Sequence, residues 1–227
     1  MPRTRDPDGT GAARGIGAAI AERLTADGWN VHAVDVEDGD LRTREGNRAV
    51  VDAALERFDG RLDAVVANAG FQHVAPIADF PEDQWDALVA LLLTSPFLLA
   101  KYAWDALAAS GDGRFLVVAS VHGLVASPFK AGYVAAKHGV VGLVKVLALE
   151  GAEVGISAAA LCPAYVRTEI VERQLEDRSL EDLLAPQAVK RFLEPSEVAA
   201  AASWLLGPDG RAVTGTPFVL DLGWTAR

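Results

Sequence analysis

Short apolar runs alternate with longer amphipathic stretches along this chain. Val31 to Val36 (VHAVDV), Leu62 to Ala67 (LDAVVA), Phe115 to Ala119 (FLVVA), Ile156 to Leu161 (ISAAAL) and Pro217 to Leu220 (PFVL) have the length and composition of strands. Between them, Ile16 to Asp27, Arg48 to Phe58, Pro81 to Ala109, Ala131 to Glu150 and Ser196 to Leu206 have helix length. Largely apolar strands alternating with helices predict a parallel sheet covered on both faces. No linker, repeat or composition shift divides residues 1 to 227, so the pattern predicts one doubly wound α/β domain.

Two stretches depart from it. A glycine turn at Gly11 calls for a buried strand just before it, yet residues 3 to 9 read RTRDPDG. Filling a central slot with Arg3, Arg5, Asp6 and Asp8 would bury charge, and Pro7 would remove a ladder donor. The first strand is therefore expected to be missing or atypical, with residues 1 to 9 forming no full central strand. The span from Asp35 to Leu62 is also compact and holds one helix pattern.

Composition narrows the classes of partner. The chain is 51% hydrophobic, enough for a core and too much for a disordered tail. Its net charge is -10, opposite to the basic excess of a nucleic-acid binder and unsuited to an anionic membrane surface. The one cysteine, Cys162, excludes an internal disulfide and a cysteine-built zinc site, and no metal is expected. The apolar stretch Ala87 to Ala100 is interrupted by Thr94, Ser95 and Pro96, too short a run to span a bilayer. The first ten residues have no apolar core of a signal peptide, so a cytoplasmic protein is expected.

The first candidate site is the run Thr10-Gly11-Ala12-Ala13-Arg14-Gly15-Ile16-Gly17, which opens a helix. Glycines there permit a tight turn and a close approach of backbone to a pyrophosphate at the helix N-terminus. Asp35 ends a strand eighteen residues past Gly17. A carboxylate in that place accepts from ribose hydroxyls and repels a 2'-phosphate, which favours NAD over NADP. Taken alone, such a glycine cluster is equally well an ordinary helix-entry loop.

The second is Ser120, at a strand end, followed by Tyr133-Val134-Ala135-Ala136-Lys137. Tyrosine and lysine four apart share one helix face. An ordinary phenol, with a pKa near ~10, is a poor base at neutral pH. A cation about 4 Å away, at an effective dielectric of ~20, contributes about 4 kcal/mol, or roughly three pKa units. Lys137 is thus expected to bring Tyr133 toward the operating pH of a general acid/base. An isolated pair of this spacing is usually just amphipathic surface; the serine and the glycine turn are what set this one apart.

TGAARGIG, Asn68-Ala69-Gly70, Ser120, YVAAK and the PAYVRT of Pro163 to Thr168 together resemble the short-chain dehydrogenase/reductase family, from Gly11 to the C-terminus. The resemblance implies a Rossmann-like sheet and hydride transfer between a nicotinamide and a secondary alcohol or ketone. It implies that Ser120 holds the substrate oxygen, Tyr133 moves the proton and Lys137 also binds the nicotinamide ribose. Gly11, Arg14, Gly15, Ile16, Gly17, Asp35, Asn68, Gly70, Val166 and Thr168 would complete the cofactor site. Two positions differ from the family pattern. An asparagine that supports a proton relay is replaced by Leu92, seven residues after Trp85, and the usual Pro-Gly is Pro163-Ala164. The implied assembly is a homotetramer, with a dimer as the fallback.

Within that family, SVHGLVASPFKAGYVAAKHGVVGL, NAGFQHVAPI and DLGWTAR are similar to one branch, the D-3-hydroxybutyrate dehydrogenases. The branch implies that Gln72, His122, Lys130 and Gln174 bind a small carboxylate, with Tyr165 and Trp224 shaping the pocket. A four-carbon acid offers little apolar area, so a cation with neutral donors is the expected means of binding it. The segment from Thr168 to Pro195 corresponds to a mobile lid and looks shortened here. Reduction of another small 3-oxo acid or a 3-oxoacyl thioester, and a non-catalytic dinucleotide-binding role, remain alternatives.

Overall fold

The computed structural model describes residues 11–169, 171–172, 175 and 179–226. Residues 1–10, on which the expectation about the first strand falls, lie outside the described residues, as does Gln174. Four strands, β1 (Ala64–Ala67), β2 (Gly113–Val118), β3 (Ile156–Pro163) and β4 (Pro217–Leu220), form one parallel sheet in that order. The register runs Val65 to Phe115, Phe115 to Ala158 and Leu161 to Phe218.

Strand periodicity distributes side chains to two layers. Leu116, Val118 and Leu161 pack with Ile20 and Leu24 of α1 (Gly15–Ala26). The partner of α1 on that face is the helix Pro195–Leu206, which contributes Val198, Ala202 and Leu205. Phe115, Val117, Ala158 and Ala160 face the other way. There they meet Val50 and Val51 of α2 (Arg44–Arg57), Leu99, Ala103 and Leu107 of the helix Ser95–Ala109, and Val140 and Val144 of the helix Ala131–Gly151. Helices on both faces of a parallel sheet are the expected doubly wound arrangement.

The further helices whose bounds fall among the described residues are, in chain order, α3 (Glu82–Val89), α4 (Ser95–Ala109), α5 (Ala131–Gly151), α6 (Leu180–Leu184) and α7 (Pro195–Leu206). The single helix expected at Pro81 to Ala109 is divided by a π-turn at Ala90–Thr94. By length and composition, Glu82–Ala109 and Ala131–Val154 would suffice to cross a bilayer. In this fold their apolar stripes, through Ala103 and Leu107 and through Val140 and Val144, are spent on the sheet.

Val31 to Val36 corrects one expectation: among the described residues it forms no strand, and Val36 lies in a turn. A strand exists through its ladder, and among the described residues the one bond of this type is Ala12 N–H to Val34 O at 3.1 Å. Among the described residues β1 pairs with β2 alone, and a cavity of about 210 Å³ is lined by Val31 and Val34 on one side of the gap and by Ala64 and Val66 of the β1 stretch. The compact span after Asp35 holds α2 alone. Thr43 caps that helix by accepting from Gly46 N–H at 3.0 Å. Asn47 ties it down: its amide donates to Leu41 O and Thr43 O, and it accepts from Ser95 Oγ at 2.7 Å in α4.

Candidate active site

The glycine turn folds back on the start of α1. A Cβ at Gly17 would lie 2.2 Å from Gly11 O and 2.7 Å from Asn68 Nδ2, so the position excludes every other residue. Asn68, just past β1, donates to Gly11 O at 3.4 Å and joins the sheet end to the turn. Gly15 adopts φ 57° and faces the Thr168 methyl. Arg14 forms an ion pair with Glu169, just after Thr168. Asp35 leans over the turn, and its carboxylate accepts from Ala13 N–H at 3.1 Å. A cavity of about 150 Å³ opens beside it, bordered by Gly11, Val36 and Arg42. A backbone cradle that a Cβ would fill, an acceptor beside it and an amide at the strand end fit a nicotinamide dinucleotide.

The reacting groups lie across the sheet end. Ser120 follows β2 and caps a short turn, Val121–Gly123, by accepting from His122 N–H at 3.1 Å. Tyr133 and Lys137 lie one turn apart on α5, and the Tyr133 phenol lines the same cavity as the Ser120 hydroxyl. Lys137 Nζ donates to Val118 O at 2.8 Å and sits 5.6 Å from the centre of the Tyr133 ring.

The expected electrostatics of this pair require correction. Burial pushes the Tyr133 phenol up to about 12, against the smaller opposing effect of the Ser120 hydroxyl. Burial also brings the Lys137 ammonium down to about 8. The lysine is aimed at a carbonyl and is itself desolvated, so helix spacing alone does not deliver the full lowering expected of a cation at contact distance.

One cavity of about 110 Å³ gathers the rest. Ile16, Asn68, Gly70, Val166 and Thr168 line its cofactor side. Gln72, His122, Lys130, Tyr165 and Trp224 line the opposite side, around Ser120, Tyr133 and Lys137. Lys130 is 3% exposed; its ammonium donates to Tyr165 Oη at 3.3 Å and lies 5.2 Å from that ring's centre. Trp224 packs on Tyr165 with ring centres 5.3 Å apart and on His122 at 5.4 Å. Burial, with the Lys130 charge next in importance, lowers His122 to about 3, so its imidazole is neutral.

Leu92 lies in the π-turn, 1% exposed, packed with Phe71, Leu88 and Ala136. It is core, not a polar relay. Two contributors escaped the sequence reading. Ser127 Oγ meets His122 Nε2 at 2.9 Å, and Asp221 folds the C-terminal loop by accepting from Gly223 N–H and Thr225 N–H, which places Trp224. Neither belongs to a spacing rule, because both act across loops.

Residues 36–225 match the family described as Enoyl-(Acyl carrier protein) reductase. The chain is 37% identical to a D-beta-hydroxybutyrate dehydrogenase of Rhizobium meliloti over 251 aligned residues, 96% of this chain and 97% of the relative. It is 39% identical to the Cupriavidus necator protein of the same name, covering 96% of each. It is also 34% identical to an acetoacetyl-CoA reductase of Rhizobium meliloti, over 91% of this chain and 92% of that one. The first two alignments are longer than the 227-residue chain, so those relatives carry residues with no counterpart here.

Proposed function

Because the chain belongs to the short-chain dehydrogenase/reductase family, we propose that this oxidoreductase interconverts D-3-hydroxybutyrate and acetoacetate with NAD. The observation that carries the reading is the buried Lys130 ammonium in a small cavity shared with Ser120 and Tyr133. A desolvated cation beside a reacting hydroxyl suits a short anionic substrate far better than a neutral one. Lys130 and Gln72 hold the carboxylate, while Tyr165 and Trp224 exclude water and limit chain length. Ser120 donates to the substrate oxygen. Tyr133 takes the hydroxyl proton in oxidation and returns it in reduction. The dinucleotide, when bound, supplies the hydride acceptor. Asp35 selects NAD by accepting from ribose hydroxyls.

The relative named acetoacetyl-CoA reductase favours a second reading, in which the substrate is a 3-oxoacyl thioester. A thioester has no carboxylate at that position to meet Lys130, so the first reading accounts for more of the site. The deciding measurement is NADH formation with D-3-hydroxybutyrate, its L enantiomer and a 3-hydroxyacyl thioester. Turnover of the D acid, lost in Tyr133→Phe with NADH binding retained, is expected. Turnover of the thioester alone would overturn the reading.

A further inference from the structure

We propose that Ser127 is a positioning residue: it donates its hydroxyl hydrogen to Nε2 of His122, holds the imidazole proton on Nδ1, and thereby leaves the Ser120 hydroxyl hydrogen for the substrate oxygen. The inference deepens the proposed function and rests on it for the role of Ser120.

The geometry is a line of three side chains. Ser127 Oγ lies 2.9 Å from His122 Nε2, and His122 Nδ1 lies 3.5 Å from Ser120 Oγ. Among the described residues these two serine hydroxyls are the hydrogen-bond partners of the ring nitrogens. The ring cannot turn freely between them. Trp224 stacks edge-on with ring centres 5.4 Å apart, and Tyr133 does so at 6.0 Å.

A neutral imidazole has one N–H, so the two nitrogens must differ: one donates and the other accepts. His122 is buried enough to stay neutral throughout the ordinary pH range. Ser120 has a single hydroxyl hydrogen and two lone pairs. One lone pair accepts from His122 N–H at 3.1 Å. If the proton were on Nε2, the bare Nδ1 would draw the Ser120 hydrogen to itself, away from the substrate. With the proton on Nδ1, the second lone pair of Ser120 accepts from the ring, and the Ser120 hydrogen points at the reacting oxygen. Only a donor at Nε2 enforces that state, and Ser127 is placed to be one. Chained donors of one direction also strengthen each other, so the last hydrogen in the line is the best donor to a developing alkoxide.

This assigns the histidine a role on the serine rather than on the carboxylate, since neither ring nitrogen is left over for the anion. No proton is transferred along the line. Its hydrogen bonds orient, and Tyr133 remains the group that exchanges a proton with substrate.

The test has two arms on the full chain. In the first, 15N-histidine NMR reads which nitrogen of His122 is protonated, with His122→Asn used only to assign the resonance among the four histidines. The wild type is expected to show the Nδ1–H form, Ser127→Ala a shift to the Nε2–H form, and Ser127→Thr a return. In the second arm, Ser127→Ala is expected to lower kcat about tenfold or more with KM little changed, because a donor to the reacting oxygen is misdirected; Ser127→Thr is expected to restore it. A wild-type Nε2–H tautomer, or an undiminished kcat in Ser127→Ala, would overturn the proposal. The NMR arm needs no substrate. If D-3-hydroxybutyrate is not turned over, the proposed function fails while the tautomer still decides this inference.

Discussion

Replacing Leu92 by asparagine tests whether that position is core or a damaged proton relay. Leu92 is 1% exposed and packed against Phe71, Leu88 and Ala136 within the π-turn between α3 and α4. Truncating a buried leucine to alanine costs about 2–5 kcal/mol in transfer and cavity terms. A buried amide with unmet hydrogen bonds adds about 1–3 kcal/mol. Leu92→Asn is therefore expected to lose at least about 3 kcal/mol, a large share of the ~5–15 kcal/mol available to a typical domain. Urea unfolding followed by tryptophan fluorescence measures it, with Leu92→Ala as the reference. The asparagine variant is expected to be the less stable of the two. Stability within about 1 kcal/mol of wild type, together with a raised kcat, would refute the packing account. That result would mean that the amide had found a polar partner near Lys137 and rebuilt a relay.

Two further outcomes follow from the site. Lys137 falls from an ordinary 10.5 to about 8 on folding, so the folded chain holds fewer protons than the unfolded one between those values. The Lys137 contribution to stability is expected to rise by about 1 kcal/mol from pH 8 to pH 9, offset in part by the raised Cys162 thiol over the same interval and by Tyr133 above it, and to fall again as pH drops back through 8. Chemical denaturation at the two pH values checks this, and the same rise in Lys137→Met would contradict it. Asp35→Ser is expected to narrow the preference for NAD over NADP, read as the ratio of kcat/KM values. Equal use of both cofactors by the wild type would remove the role assigned to Asp35.

Local pattern alone determined a good part of this protein. The apolar runs that became β2, β3 and β4, and the helices around them, were legible because periodicity and chain length act within a few residues. So were Ser120, Tyr133 and Lys137, because a strand end followed by an i, i+4 pair fixes their relative placement through backbone geometry. Tertiary structure decided what depends on distant neighbours. Val31 to Val36 has the composition of a strand but has no ladder among the described residues, and pairing is a property of two segments. The π-turn around Leu92 divides a stretch that reads as one helix. Lys137 was expected to lower the Tyr133 phenol, yet burial raises it, because desolvation depends on everything packed around a group rather than on its spacing from one cation. Ser127 and Asp221 reach the site only through loop closure, which brings side chains together without leaving a period in the sequence.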